Sequence, residues 1–354
     1  MNSFIKFSAV ITACAAFLFC THTETAFAAD GDSPQLAPMM TPAPLELGRG
    51  VNVLGYDPIW NNFEQRRFKA EYFSKIKEAG FDHLRLNIHP FRHQLGADEG
   101  YRMKDEWYKT LDWIVDNALR NDLKIILDLH EYNAMSEDPE GNRERFLSFW
   151  RQMSDKFASY SNRVVFELLN EPHNKLDAKL WNVYAKDALA VIREKNPERP
   201  VIIGATQWNS INLLHTLELP ADDPNILVTV HYYKPMRFTH QGASWVGEEL
   251  RKTTGVTWGT DEEKAAVVKD FEEARKWGVD NHRIVYLGEF GAYDKAPTES
   301  RVTYTDYVCR TCEKMGWSWG YWQFDSDFLV FDVKTDKWFE PILGALIPNS
   351  PALK

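Results

Sequence analysis

Cysteine is scarce in this chain. Four occur in 354 residues, and two of them, Cys14 and Cys20, lie in an apolar N-terminal stretch that reads as a removable leader. Only Cys309 and Cys312 then remain, a C-x-x-C pair with no second cysteine pair and no histidine cluster to complete a metal site. The surrounding TESRVTYTDYVCRTCEKMG has helical character, so two semi-buried helix cysteines or one local disulfide are expected. Excess positive charge is also missing. The net charge of −10 argues against a nucleic-acid partner, because phosphate binding needs a basic face. No apolar run is long enough to cross a bilayer comfortably; the longest candidate, FSAVITACAAFLFC at 7–20, falls short of about 20 residues.

Metal and cofactor signatures are lacking as well. His130-Glu131 begins like the zinc motif H-E-x-x-H, but position 134 is Ala134, so the second ligand is gone. No glycine-rich phosphate loop follows the first predicted strand, where GVNVLGYD stands instead. Neither a cofactor nor a metal is expected.

What is present begins with an export signal. Lys6, the apolar run and Ala26-Phe27-Ala28 predict a signal peptide over 1–28, and hence a secreted or periplasmic protein. The bulky Phe19 beside Cys20 argues against lipoprotein processing. Residues 29–46, ADGDSPQLAPMMTPAPLE, form a Pro-rich linker or terminal arm, and the catalytic domain is expected over 47–348.

From there the chain alternates short β-rich runs with amphipathic helical runs. Strands are predicted over 48–55, 83–89, 124–130, 164–171, 200–206, 226–233, 283–291 and 316–324. The segment 64–80 is a predicted helix, with Phe68, Tyr72, Phe73 and Ile76 at helical spacing and Gly80 as its C-cap. Eight strand–helix units in roughly 300 residues predict an α/β fold, a (β/α)8 TIM barrel in one catalytic domain.

In such a barrel the chemistry collects where the strands end. Here those ends carry Arg85 and His89, His130, Asn170 and Glu171, His231 and Tyr233, Glu289, and Trp322. One carboxylate there would be an ordinary helix cap. Two across one rim, among Arg, His, Asn and Tyr, suit cleavage of a glycosidic bond, where one group protonates the departing oxygen and the other attacks or activates water. The two pKa values must then be pushed apart. Arg85 and Tyr233 are expected to keep Glu289 ionised as nucleophile, and Glu171, beside His231, to stay protonated as the acid. Asn170 suits a sugar 2-hydroxyl.

The stretches HLRLN, ILDLHEY, FELLNEPH, VTVHYY, YLGEFG and GYWQF, in this order, resemble the strand-end motifs of glycoside hydrolase family 5, the cellulase family of the retaining β-glycosidase clan. The likeness covers residues 47 to 345, and Asn-Glu-Pro with Gly-Glu-Phe-Gly is specific as a pair. It implies Glu171 as acid/base and Glu289 as nucleophile, supported by Arg85, His130, Asn170, His231, Tyr233 and Trp322. It also implies retention of anomeric configuration with carboxyl groups about 5 Å apart.

The remaining candidates are weighed individually. Trp322 reads as a platform under a sugar ring, and Trp208 as a second one, because the C–H face of a pyranose is apolar. His89 is a candidate substrate contact. Trp60, Trp245 and Trp258 also fall in predicted rim loops, and 234–260 is a long loop expected to wall the cleft. Glu167 and Asp128 read as structural partners, and Glu131, on the opposite side from His130, as a solvated loop residue or a support behind the site. Ser318 sits in a G-x-S-x-G match, but its strand follows the serine rather than preceding it, so a nucleophile elbow is not expected. The paired glutamates and aromatic platforms, with the export signal, lead to the expectation of a secreted endo-β-1,4-glucanase acting on a polysaccharide, and a monomer is expected. The alternatives are the same machinery on mannan, xyloglucan or mixed-linkage glucan, and more remotely a non-catalytic binding barrel.

Overall fold

The computed structural model describes residues 45–354; the predicted signal, Cys14, Cys20 and all but the last two residues of the arm lie outside the described residues. Eight parallel strands close into a barrel in chain order: β1 Arg49–Val53, β2 His83–Ile88, β3 Lys124–Leu129, β4 Val164–Glu167, β5 Val201–Gly204, β6 Ile226–Tyr232, β7 Ile284–Phe290 and β8 Ser318–Tyr321. β8 pairs back onto β1 through Arg49–Trp319, Gly50–Gly320 and Val51–Tyr321. Every predicted strand is found. They were legible because strands buried on both faces read as near-continuous apolar runs.

Alternation along the strands separates two hydrophobic regions. One set of strand side chains, Phe166 and Trp319 among them, packs outward against the helices, which bring Trp107 and Trp150 to the same region. The other, Ile126, Val165, Ile202, Leu227 and Tyr286, fills the barrel floor with Leu47, and Leu45 packs against it from below. Gly50 is required at that level: a Cβ there would lie 2.0 Å from the His83 ring, which bridges Leu47 O and the Tyr286 hydroxyl. At the other end of the chain the Ser350 hydroxyl donates to Ala79 O.

The first helix departs from expectation. It spans Glu71–Ala79 and not 64–80, although Gly80 does cap it at φ 103°. The cause is Asp57, whose carboxylate accepts from the amides of Ile59, Arg67 and Phe68 and holds that segment in a turn before the helix can begin. Cys309 and Cys312 are both free and buried on the helix Thr298–Lys314, so the local disulfide does not form. The Ser318 Oγ accepts from the Gly48 amide at the start of β8, at the opposite end from the carboxyl rim.

Candidate active site

Above the floor the barrel interior turns polar. Arg85, fully buried at mid-β2, is the hub. Its Nε and Nη2 donate to the two Glu167 oxygens at 2.7 and 2.8 Å, Nη1 donates to Glu289 Oε1 at 2.6 Å and to Asn52 Oδ1 at 2.8 Å, and Nη2 also reaches Asn170 Oδ1 at 2.9 Å. Asp128 Oδ2 stands 3.2 Å from the same guanidinium and accepts from Asn87 and from the His130 ring. One fixed cation therefore faces three carboxyl groups, which satisfies the rule that buried charges are paired. Glu167 and Asp128 are the structural partners expected of them. Burial raises both their pKa values, opposed by Arg85.

Glu171 and Glu289 come together at the rim. One oxygen of each, and the His231 Nδ1, lie within 4.8 Å of one another. The chain past β4 stays paired to its neighbours, Leu168 to Ile202 O and Asn170 to Leu129 O, and this carries Glu171 over the mouth at φ 45°. A register shift between Val230 and His231 turns His231 to face Glu289 across β7. Gly288 makes room there, since a Cβ would meet Thr229 Oγ1 at 2.4 Å and His231 Nε2 at 3.1 Å.

The two carboxyl groups have different donors. Glu289 accepts from Arg85 and, at 2.9 Å, from the Tyr233 hydroxyl. Glu171 pairs with His231 Nδ1 at 2.8 Å, while that nitrogen is 3.6 Å from Glu289. Burial pushes both acids up to about 7, with Arg85 pulling each down and His231 also pulling down Glu289. The separation of pKa values expected from sequence is thus small. Within the pair we place Glu171 above Glu289, because a guanidinium and a phenol at hydrogen-bond distance stabilise a carboxylate more than an imidazole does. Desolvation lowers His231 below its ordinary range and drives the Tyr233 hydroxyl well up, so Tyr233 is a donor throughout.

The aromatic candidates divide. Trp322 is 8% exposed and stacks on His130 with 5.7 Å between ring centroids and 11° between planes. Trp208, 49% exposed, lies over His173 at 4.9 Å and 22°. Trp245 is exposed and meets Tyr293 edge-on. Trp60 and Trp258 are buried, Trp60 stacked on Trp107 and Trp258 packed on Tyr304, and they offer no rim surface. His89 meets the His130 ring edge-on at 5.2 Å, and burial lowers its pKa to about 3. Glu131 accepts the Phe91 amide and anchors the loop after β2. The long loop 234–260 is pinned by buried Gln241, which bonds Phe238 O and both backbone groups of Val256.

Sequence reasoning missed four residues near this group. Tyr56, 57% exposed, meets Trp322 edge-on; Tyr132 does the same to His130; His173 bonds the Glu171 carbonyl; and buried Asn209 contacts His231. Among the described residues the one His/carboxylate cluster with metal-ligand spacing is Glu171, His231 and Glu289 itself.

Residues 45–327 match the model of Cellulase (glycosyl hydrolase family 5). The chain belongs to that family. Among solved structures, this family 5 chain is similar to Cel5A of Thermotoga maritima in complex with mannotriose, at 38% identity and TM-score 0.80, covering 85% of this chain and 97% of that one. The cellulose synthase subunit Z of Clostridioides difficile is similar at 33% identity and TM-score 0.80, covering 85% and 100%. Endoglucanase H of Acetivibrio thermocellus is 31% identical over 312 residues, 85% of this chain and 33% of that protein, so the chain spans about a third of that relative. Among the described residues no helix is long and apolar enough to cross a membrane.

Proposed function

We propose that this family 5 hydrolase is an endo-β-1,4-glucanase that cleaves with retention of configuration. The observation that carries the reading is the Glu171–Glu289 pair, with oxygens within 4.8 Å and different hydrogen-bond partners. Carboxyl groups about 5 Å apart leave no room for an intervening water, which favours direct attack over inversion.

Glu289 is the nucleophile in this proposal. Arg85 and Tyr233 hold its carboxylate ionised and aimed, and Tyr233 keeps a donor at the ester once the carboxylate charge is spent in the new bond to the anomeric carbon. Glu171 gives its proton to the leaving oxygen. It then removes one from the water that releases the glycosyl-enzyme, the same group serving both steps. Asn170, held by Arg85, donates to the 2-hydroxyl as charge develops. Trp322, Trp208 and His89 contact the sugars. The names of the relatives support the glucan, and the mannotriose complex of the Thermotoga protein keeps mannan as a second reading.

Purified protein should release reducing ends from carboxymethylcellulose and mixed-linkage barley glucan, with a fall in viscosity that runs ahead of sugar release. Faster turnover of mannan would reassign the substrate, and no turnover of any glycan would leave a binding barrel. Export as a monomer after cleavage at Ala28 is part of the proposal. N-terminal sequencing and sedimentation of the exported protein check it.

A further inference from the structure

Three consecutive residues in the loop after β5 take the left-handed conformation: Gln207, Trp208 and Asn209, at φ 56°, 61° and 55°. None is glycine, and such a run is unfavourable for L-residues unless its surroundings impose it. The turn has two consequences. It lifts Trp208 into solvent at the rim, and it sends the Asn209 side chain down into the barrel, where it is fully buried. Gly204 leaves the necessary space, because a Cβ there would lie 2.1 Å from Asn209 Oδ1.

The buried amide ends at one partner. Asn209 Nδ2 is 3.1 Å from His231 Nε2, on the side of the ring opposite the acids. On the other side, Nδ1 faces Glu171 at 2.8 Å and Glu289 at 3.6 Å. A lone pair at Nδ1 would face the ionised Glu289 carboxylate at 3.6 Å and, after proton transfer to substrate, that of Glu171, so the proton of the neutral ring belongs on Nδ1. Nε2 then has only a lone pair, and it needs a donor. The Asn209 amide is that donor, and its Oδ1 has no hydrogen-bond partner among the described residues.

We propose that Asn209 is a positioning residue that fixes the His231 tautomer, with the proton on Nδ1, and through it the orientation and proton affinity of Glu171. With the other tautomer, Nδ1 would accept from protonated Glu171 and draw its acidic proton away from the glycosidic oxygen. The ring also lies in the field of Arg85, Asp128 and Glu167, and Glu171 is further influenced by Arg85, His173 and Asp128. These remain in place when Asn209 alone is changed. The proposal rests on the role given to Glu171 above.

Two measurements test it. Long-range 1H–15N correlation spectra of the imidazoles in the wild-type protein, with His231 assigned by a His231→Gln variant, should show His231 protonated at Nδ1 near neutral pH. Protonation at Nε2 overturns the proposal whatever the reaction proves to be. The second uses Asn209→Asp, which keeps the shape and tolerates the left-handed turn but presents only acceptors. Its kcat on cellotetraose should fall about 10–100-fold, the usual cost of removing a supporting partner. The alkaline limb of its pH profile should move, with little change in kcat/KM on a dinitrophenyl cellobioside, whose first step needs no acid. A variant with the wild-type profile and rate on both substrates contradicts the proposal. Failure of the enzyme on all glycans, with the Nδ1 tautomer intact, contradicts only the glucanase reading.

Discussion

Arg85 Nη1 lies 2.6 Å from Glu289 Oε1, and the same guanidinium holds both oxygens of Glu167 at 2.7 and 2.8 Å. A single buried cation thus ties the reacting rim to the polar layer beneath it. Removing it would leave Glu167, Asp128 and Glu289 without their common partner. Arg85→Ala should destabilise the fold by about 3–5 kcal/mol at pH 7, the cost of orphaning buried charge. The loss should shrink at pH 5, where Glu167 and Asp128, whose pKa values burial already raises, take up protons. Urea denaturation at the two pH values measures both numbers, and equal losses would contradict the hub.

Glu171 predicts a particular pH signature. Burial raises its folded pKa to about 7 from an ordinary 4.5. The native form therefore holds a proton that the unfolded chain has released between those values. That contribution is complete below about 4.5 and is lost as pH rises through 7. Glu171→Gln carries no charge at either end of the range. Its melting temperature relative to wild type should rise between pH 5 and pH 8, by a free-energy difference on the order of 1–3 kcal/mol. A constant offset across that range would place the Glu171 pKa near its ordinary value.

Activity should follow a narrow bell centred near neutrality. One acid must be ionised and the other protonated, and both titrate around 7. The two apparent values belong to the pair, not to either side chain. A broad plateau from pH 4 to 9 in kcat/KM would contradict this.

Trp208 and Trp322 should separate binding from stability. Trp208→Ala removes a half-exposed ring, so KM for oligosaccharides should rise about three- to tenfold with the melting temperature nearly unchanged. Trp322 is buried against His130, and Trp322→Ala should cost about 3–5 kcal/mol of stability as well as kcat. Kinetics alongside calorimetry on both variants checks the contrast.

The strands and their terminal residues were legible in the sequence for a physical reason. A barrel strand buried on both faces writes an apolar run, and a polar residue closing such a run, as with His130, Glu171 or Glu289, has little reason to be there except the rim; Arg85, expected at a strand end, instead lies mid-strand in the polar interior. The loops carried less. Trp208 and Trp258 look alike as letters, yet long-range packing against Tyr304 buries one while a left-handed turn exposes the other. Asn209 gave no signal, because glycine-free left-handed turns have no residue pattern and its partner His231 lies 22 positions away. The start of the first helix was misplaced because Asp57 captures backbone amides about ten residues downstream.

The central claim is that Glu289 attacks the sugar while Glu171 handles the proton. An activated 2-deoxy-2-fluoro cellobioside, which forms the glycosyl-enzyme quickly and releases it slowly, reads this directly by peptide mass spectrometry. A stoichiometric label on the peptide carrying Glu289 is the predicted result. A label on Glu171, or turnover that leaves no covalent adduct, would contradict the account.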